Sequence, residues 1–260
     1  MADDLRRAFA FIAAGDMSGT RRVPSPFGVA VYNDQLPLRF DSNYLLVDIL
    51  PESVTAFEVA AEARRLGRNA VMVRDKPTGQ RLLPGFEQLG WRAHHGLVMA
   101  HRRAAKRTAG TVPVYEVEDA ALRGARRELL SGEPWATPDV VEQLLQAKKA
   151  VAKAVTARFF AVRVDNAVVS YGDLYVGDRV GQIEDVATLD RFRGRGYASA
   201  VVLRALEEAA AAGCDLTFLV TDEDDWPREW YGRLGFETLG KYLKFLDTGL
   251  GTMGDSSASG

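Results

Sequence analysis

A glycine-interrupted loop that carries two arginines is the segment of this 260-residue sequence with the clearest chemical potential. It reads Arg193-Gly194-Arg195-Gly196-Tyr197-Ala198-Ser199, and it joins a predicted strand, about 182–188, to a predicted alanine-rich helix, about 196–212. The first N–H groups of a helix have no intrahelical acceptor, and the helix dipole adds partial positive charge there. Such a turn can hold a phosphate or pyrophosphate, because glycine lets the backbone approach and arginine adds charge-assisted hydrogen bonds.

The loop alone leaves its ligand open. The Gly-x-Gly-x-x-Gly spacing of dinucleotide-binding loops is absent, and no Gly-Lys-Ser/Thr follows as in a Walker loop. A tight turn from strand to helix with solvated arginines would explain the same residues.

Two sequence motifs, which follow each other in the same order as in the family, resemble those of the GNAT superfamily of N-acetyltransferases. The acetyl-CoA signature of that superfamily, Arg/Gln-x-x-Gly-x-Gly/Ala, matches Arg193, Gly196 and Ala198. A second register, which begins at Arg191, also matches, but the first register places Ala198 in the opening turn of the helix. About thirty residues further on, Tyr231-Gly232-Arg233-Leu234-Gly235-Phe236 resembles the Tyr-x-x-x-Gly-Phe element of the family.

The resemblance covers residues 112–247 and implies a mixed, mostly antiparallel sheet flanked by helices, an α/β (α+β) fold. The pattern of apolar residues and breakers in this part predicts seven strands at 112–118, 158–164, 168–176, 180–188, 215–221, 236–239 and 242–245. It predicts helices at 119–130, from 138 onward, at 196–212 and at 226–234.

The first half of the chain shows a fainter copy of the same order. A predicted strand at 44–50, a helix at 52–66 and a strand at 69–73 precede Phe86-Glu87-Gln88-Leu89-Gly90-Trp91, which aligns with residues 231–236. The copy lacks an Arg-Gly loop, and phenylalanine replaces the tyrosine.

We interpret the chain as a tandem GNAT protein. A degenerate domain at 1–108 precedes a catalytic domain at 112–247, and a disordered tail follows at 250–260. Chance similarity of two α/β halves is the alternative.

The resemblance implies a role for each matching residue. Direct attack of an amine on the thioester is usual in the superfamily, and the sequence shows no Ser-His-Asp or Cys-His arrangement. Backbone groups of Val186, Ala187 and Thr188 would bond the pantetheine arm of acetyl-CoA, and the main chain of residues 193–198 would hold its pyrophosphate. Tyr231 would donate a proton to the leaving thiolate.

Glu184 is the candidate base, because related spermidine/spermine-type enzymes carry a glutamate at this place. Strand alternation puts Glu184 on one face with Val186 and Thr188, near the thioester, and points Asp185 the other way. Partial burial would raise the pKa of the glutamate, which suits a base. A carboxylate that only attracts a cationic substrate is the alternative.

One position departs from the family pattern. Many relatives have asparagine seven residues before the tyrosine, where this chain has Asp224. The aspartate would place a charge near the pantetheine amides. With its acidic neighbours it would form either an anionic wall that faces the amine or a solvated loop.

Composition limits the partners. The net charge of −2 argues against binding of nucleic acid or of anionic membranes. The single cysteine, Cys214, excludes an internal disulfide and a cysteine metal cluster. The three histidines, His94, His95 and His101, have no fourth ligand-like partner in the sequence, so surface or packing roles are favoured over a metal site. Without a signal peptide or a long apolar run, we expect a cytoplasmic protein. The basic run at 102–107 is interpreted as an exposed linker.

The leading hypothesis is therefore an acetyl-CoA-dependent N-acetyltransferase that uses no metal and acts on a small-molecule or peptide amine. Chemistry would reside in the second copy, with the first covering a sheet face and walling the acceptor pocket. The chain would be a monomer, with its halves as a pseudo-dimer, or a homodimer. The rival hypothesis is a non-catalytic acyl-CoA sensor or interaction module.

Overall fold

The computed structural model of the chain describes residues 2–16, 21–39, 42–105, 112–134 and 136–247. The predicted disordered tail at 250–260 lies outside the described residues.

The described part of the chain contains seven α-helices and eleven strands. The helices are α1 (Ala2–Asp16), α2 (Ala56–Arg65), α3 (Lys76–Gln88), α4 (Asp119–Ser131), α5 (Pro138–Ala154), α6 (Tyr197–Ala211) and α7 (Pro227–Arg233). The strands of the first half are β1 (Arg21–Ser25), β2 (Gly28–Tyr32), β3 (Leu45–Val47), β4 (Ala70–Val73) and β5 (Trp91–His101). Those of the second half are β6 (Tyr115–Val117), β7 (Thr156–Val164), β8 (Ala167–Gly177), β9 (Val180–Thr188), β10 (Leu216–Asp222) and β11 (Phe236–Asp247).

These strands form one 11-stranded sheet in the order β1-β2-β3-β4-β11-β5-β10-β9-β8-β7-β6. The pairs β3/β4 and β9/β10 are parallel, and the other neighbouring pairs are antiparallel. The predicted fold class, a mixed and mostly antiparallel sheet flanked by helices, is confirmed. The sheet is single, where two central sheets were expected.

The last strand of each half lies against the other half. β5 is placed between β11 and β10, and β11 is placed between β4 and β5. The two strands pair antiparallel from Phe236↔His101 to Asp247↔Trp91. Each half therefore completes its sheet with a strand of the other, so the two predicted domains share their central strands.

The two halves follow the same order of elements. β3-α2-β4-α3-β5 corresponds to β9-α6-β10-α7-β11, with a parallel strand pair on either side of the first helix. Gly67 and Gly213 follow the first helix of each series with φ of 65° and 78°. The correspondence extends the sequence similarity behind the tandem interpretation, which stays a prediction.

Helices cover both faces of the sheet. Leu97, Met99 and Leu219 pack with α6 and α7 on the face that we call the α6 face. The alternate residues Val98 and Phe218 pack with α1 and α4 on the opposite face, called the α1 face. The α6 face also carries α2 and α3, since Leu243 and Phe245 of β11 pack against them.

Local chemistry explains several element boundaries. Thr55 caps α2: its hydroxyl accepts from the Glu58 amide at 3.3 Å, and the Glu58 carboxylate accepts from the Thr55 amide at 2.8 Å. This capping box starts the helix at Ala56, so the predicted start at residue 52 is wrong. The strand predicted at 44–50 is limited to Leu45–Val47.

Strand β11 and helix α3 also differ from the sequence-based prediction. The separate final strands at 236–239 and 242–245 are one strand, β11, with an irregularity between Thr238 and Gly240. Helix α3 was not predicted from the sequence, because it contains Pro84 and two glycines, which disfavour a helix. Both glycines permit close packing: a Cβ at Gly79 would lie 2.8 Å from the Leu243 side chain, and one at Gly85 would lie 2.7 Å from Ala56.

Candidate acyl-transfer site

The site begins where two parallel strands separate. β9 and β10 pair only from Val180↔Leu216 to Gln182↔Phe218. Beyond this point β9 continues to Thr188 along β8, and β10 continues to Asp222 along β5. A wedge therefore opens between the carboxyl ends of β9 and β10, and a cavity of about 600 Å³ extends through it from the α6 face to the α1 face.

The arginine-glycine loop forms one wall of this cavity. Residues 193–199 all line it, and Gly194 and Gly196 adopt left-handed φ angles of 76° and 78°. Among the described residues, no amide from Gly194 to Ser199 donates a hydrogen bond; the first one in this segment that does so is Ala200, to the Gly196 carbonyl. Six consecutive main-chain donors at a helix N-terminus are thus available to a ligand.

The loop arginines are exposed and already engaged. Arg193 pairs with Asp190 at 2.9 Å and makes a 3.4 Å contact with the Thr188 carbonyl. The guanidinium of Arg195 lies 5.4 Å from the centroid of the Phe192 ring. The main chain, rather than these side chains, is the concentrated set of donors.

Strand β9 does not alternate as predicted. Asp185 has a φ of 55°, and the register with β8 shifts between Tyr171 and Asp173, which defines a β-bulge. The bulge turns Asp185 to the α1 face, where it bonds Arg126, and turns Val186 to the α6 face, where it lies over Gly172 beside Val201. The prediction that Glu184 and Val186 share a face, with Asp185 opposite, is wrong for this reason.

The end of β9 still reaches the cavity. Val186, Ala187 and Thr188 line it. The Ala187 carbonyl accepts from the Ser170 hydroxyl at 2.8 Å, and the hydroxyls of Ser170 and Thr188 are 2.9 Å apart. The strand end is held by β8 on one side and is open toward β10 on the other.

Glu184 lies half-buried at the cavity on the α1 face. Its carboxylate accepts from the Gln182 amide at 3.1 Å. Burial raises the pKa of Glu184, the neighbouring carboxylates raise it further, and Lys148 and Arg39 oppose the rise. The group therefore has the environment of a base whose pKa lies above the usual carboxylate range.

A buried cluster of charges lies behind Glu184. The Arg126 guanidinium bonds Asp119 and Asp173, and its Nε donates to Asp185 at 3.0 Å. Lys148 of α5 lies 3.3 Å from Asp173 and 3.2 Å from Asp185. The cluster ties α4 and α5 to the bulge in β9.

Burial and neighbouring charges shift the pKa values of the residues in this cluster. Burial raises the pKa of Asp173, with its neighbouring cations opposing the rise. Burial alone would lower the pKa of Lys148, but the carboxylates of Asp185 and Asp173 raise it. Sequence reasoning missed Arg126, Lys148 and Asp173 because they lie on three separate elements and match no motif.

Tyr231 packs against aromatic side chains and lines the cavity. Its ring packs 4.6 Å from Trp230 and 5.7 Å from Phe236 between centroids. Among the described residues its hydroxyl has no hydrogen-bond partner. Burial raises the pKa of Tyr231 above 10, so the phenol is protonated at neutral pH. Trp230 links this helix to the loop, since its indole N–H donates to Ser199 at 3.1 Å.

Asp224 does not take part in the cavity. It is exposed and absent from the lining, and its carboxylate lies 3.5 Å from His95. Its predicted contact with pantetheine finds no support in this placement. Within the acidic loop, Asp222 lines the cavity on the α1 face, whereas Glu223 pairs with Lys241.

The first half of the chain supplies the far wall. The lining residues from this half lie on α1, on the loop after β2, at the end of β4 and on β5; they are Phe9, Phe11, Ile12, Gly15, Arg39, Met72, Arg74, His94 and Gly96. The expectation that this half walls the pocket agrees with that placement.

The described residues also bear on metal binding, on the basic run at 102–107 and on membrane spans. Among the described residues no group of three or more histidine, cysteine, aspartate or glutamate side chains is placed to hold a metal ion. Arg102 and Arg103 are exposed, as predicted for this run, and their amides donate to the Gly235 carbonyl at 3.0 and 3.2 Å. The rest of that basic run, 106–107, lies outside the described residues. In the described part of the chain, no helix combines the length and apolarity needed to span a bilayer.

Comparison with known proteins identifies the family. The model of the acetyltransferase (GNAT) family matches residues 93–236, more than half of the chain. The chain belongs to this family. GNAT acetyltransferases use acetyl-CoA as the acyl donor, so membership assigns the protein to the acetyltransferases. The match begins in β5, before the segment at 112–247 in which the sequence motifs were recognised.

Individual relatives extend the similarity over most of the chain. The uncharacterized N-acetyltransferase CgeE of Bacillus subtilis (strain 168) is 22% identical over 207 residues, which span 78% of this chain and 72% of CgeE. A GCN5-related N-acetyltransferase from Kribbella flavida aligns with a TM-score of 0.63 at 17% identity, over 93% of this chain and 94% of its own. A functionally unknown conserved protein from Staphylococcus epidermidis aligns with a TM-score of 0.67 at 13% identity, over 87% and 93%. At these identities the two structures establish a shared fold that includes both halves.

The charge cluster makes a prediction about stability. Replacing Arg126 with methionine is expected to lower the free energy of unfolding by about 3–5 kcal/mol, because buried carboxylates lose their partner. Replacing the adjacent Arg127, which is 51% exposed and pairs with Glu142, is expected to change it by about 0–1 kcal/mol. Urea unfolding of the two variants measures the difference. Equal losses would show that the cluster contributes no more than a surface ion pair.

Proposed function

We propose that the chain is an acetyl-CoA-dependent N-acetyltransferase that moves the acetyl group to a primary amine by direct attack. The observation that carries the proposal is the meeting of three features at one cavity. These are six unpaired amides at the start of α6, the Tyr231 hydroxyl and the half-buried Glu184. The transfer would take place within the wedge between β9 and β10.

The loop residues fit the diphosphate of coenzyme A. Main-chain N–H groups of Gly194–Ser199 have no acceptor within the described structure, and they lie at the N-terminal, positive end of the α6 dipole. The open edge of β9 beyond Gln182 would bond the pantetheine amides in the manner of an added strand. Acetyl-CoA, when held there, supplies an activated thioester.

Glu184 would prepare the amine. A primary amine is protonated at neutral pH and must lose that proton before it can attack. The raised pKa of the Glu184 carboxylate brings it closer to neutrality, which makes it a better proton acceptor than an exposed glutamate. A role through an intervening water is compatible with its position at the cavity wall.

Tyr231 would return a proton to the leaving sulfur. The ring is held between Trp230 and Phe236 at the cavity wall, and its hydroxyl has no competing acceptor in the described structure. Its raised pKa keeps the proton on the phenol until a thiolate forms beside it.

The first half would act as a built-in partner. We retain the interpretation of a tandem protein with a degenerate first copy, supported by the repeated order of elements and by the shared central strands. Its face would close the acceptor side of the cavity, and the acceptor would be a small molecule or a peptide amine. Incubation of the protein with acetyl-CoA and a panel of amines, followed by mass spectrometry, tests the function. Coenzyme A binding without any acetylated product would favour a sensor.

The loop assignment predicts the effect of a backbone change. Replacing Gly196 with valine is expected to weaken coenzyme A binding about tenfold or more, because a β-branched residue strains a left-handed φ. A Cβ at this position would meet no atom within 4 Å, so the effect would come from the backbone. Gly124→Val is the control, because Gly124 has equal space and no left-handed φ. Calorimetry of coenzyme A binding decides; unchanged affinity in the Gly196 variant would refute the assignment.

The proton donor can be tested without disturbing the core. Tyr231→Phe keeps the ring contacts and removes the hydroxyl, so we expect kcat to fall about a hundredfold with coenzyme A affinity retained. Tyr115→Phe, at an exposed tyrosine of β6, is the control and should leave kcat unchanged. Turnover that persists in the Tyr231 variant would remove this residue from the mechanism.

The base assignment predicts a pH dependence. Because the carboxylate is the active form, kcat/KM should fall as pH drops through the pKa of Glu184, at a pH above the usual carboxylate range. Glu184→Gln should abolish this acid limb, and Lys148→Met should move it to higher pH, because Lys148 lowers the pKa of Glu184. An identical acid limb in Glu184→Gln would assign that ionisation to another group.

A further inference from the structure

The cavity wall formed by the first half contains an arginine, Arg74, that has no acidic partner among the described residues. Arg74 follows β4 and lines the cavity. Its Nε and Nη2 atoms are buried and have no hydrogen-bond acceptor among the described residues. The guanidinium lies 5.0 Å from the centroid of the Phe9 ring, a cation–π contact that supplies no formal negative charge and no carboxylate acceptor. Burying guanidinium N–H groups without an acceptor is costly unless a ligand supplies one.

Three other cations that line the cavity have acidic neighbours. Arg126 and Lys148 are held by the aspartates of the buried cluster. Arg39 interacts electrostatically with Glu184. The planar fork of Arg74, which suits bidentate binding of an oxyanion, is therefore open to a ligand.

The register of the sheet places Arg74 across the cavity from Asp222, at the end of the cavity that also contains Glu184. β4 and β11 pair up to Val73↔Leu243, so Arg74 comes next to Tyr242. Tyr242 pairs with Gly96, and Gly96 pairs with Asp222. Arg74 and Asp222 thus stand in one row across four strands, with about 14 Å between their Cα atoms.

Between these ends the row consists of an aromatic residue and a glycine, and Lys244 and His94 line the cavity in the next row. The Tyr242 ring lies directly on Gly96, where an added Cβ would be 2.1 Å from the ring. Phe9 packs against the same tyrosine ring edge to face, with 6.1 Å between centroids. Met72 lines the cavity beside them. Only glycine at position 96 allows the aromatic ring to form this floor.

We propose that Arg74 binds an oxyanion group of the acceptor, whose primary amine lies at the Glu184 and Asp222 end. The acceptor would be an amino carboxylate or amino phosphate with an apolar spacer between its charged groups. This inference rests on the proposed acetyltransferase function. It identifies Arg74 as the residue that selects such amines over neutral ones of equal length.

Rates of acetylation test the selectivity. A chain-length series of ω-amino carboxylates is compared with ω-amino phosphonates, with the methyl esters of the carboxylates and with alkylamines of matching length. At the best length, kcat/KM for the acid should exceed that for the ester or alkylamine about tenfold to hundredfold. The ratio of carboxylate to phosphonate distinguishes the two anions. Equal rates for acids and neutral amines at every length would overturn the inference and leave the proposed function intact.

Variants assign the selectivity to one residue. Arg74→Met should abolish the preference for acids while rates with alkylamines are retained, and Arg74→Lys should keep part of it. Arg163→Gln, which removes an exposed cation of β7 outside the cavity, should keep all of it. A preference for acids that survives in Arg74→Met would overturn the inference. If the methionine variant unfolds, the Arg74→Lys variant and the comparison of acids with esters in the wild-type protein still test it.

Binding separates the two claims. Calorimetric titration of the coenzyme A-saturated protein with alkanoates, which cannot be acetylated, should show binding that is lost in Arg74→Met. Such binding without acetylation of any amine would refute the transferase function and support the anion site. Absence of alkanoate and alkylphosphonate binding at every length would overturn the anion site.

Discussion

The separation of β9 from β10 after Gln182 is the constraint on which the rest of the site depends. Two parallel strands that stayed paired to their ends would close the sheet and leave no passage between its faces. Because they part, the carboxyl end of β9 has an open edge, and the loop that follows can place six main-chain donors beside it. The same opening connects Tyr231 on the α6 face with Glu184 on the α1 face.

An open strand end needs support from elsewhere, and the buried charge cluster supplies it. Arg126 and Lys148 hold the bulged Asp185 and the fully buried Asp173, which fixes β9 against β8, α4 and α5. Such clusters contribute less to stability than apolar packing of equal volume, but losing one member leaves a buried charge without a partner. Here the cluster also sets the electrostatic surroundings of Glu184, since its lysine and its aspartates shift the pKa of Glu184 in opposite directions.

Exchange of central strands joins the two halves of the chain. β5 and β11 each pair with a strand of the other half, so a displacement of either half would alter the strands that border the cavity. Residues from the first half therefore face the wedge as part of the same sheet, and Arg74, Met72 and Gly96 stand in register with Asp222 and its neighbours. Solved structures of the same fold cover both halves of the chain.

The sequence by itself determined the features that depend on local chemistry. The glycines at 194 and 196, which the loop needs for its left-handed angles, were evident, and so was the start of α6 after them. The turn at Asp165 and Asn166, the helix start at Pro138 and the family motifs also follow from neighbouring residues.

Only the tertiary structure decided what depends on residues far apart in the chain. The bulge at Asp185 reversed the predicted alternation because Arg126 and Lys148, from two other helices, compensate its charge on the α1 face. Helix α3 forms despite Pro84 because Gly79 and Gly85 let it pack closely on β11 and α2. Arg74 has no acidic partner among the described residues. Nothing in the sequence indicated this, because the partners of a side chain depend on which residues the fold brings around it.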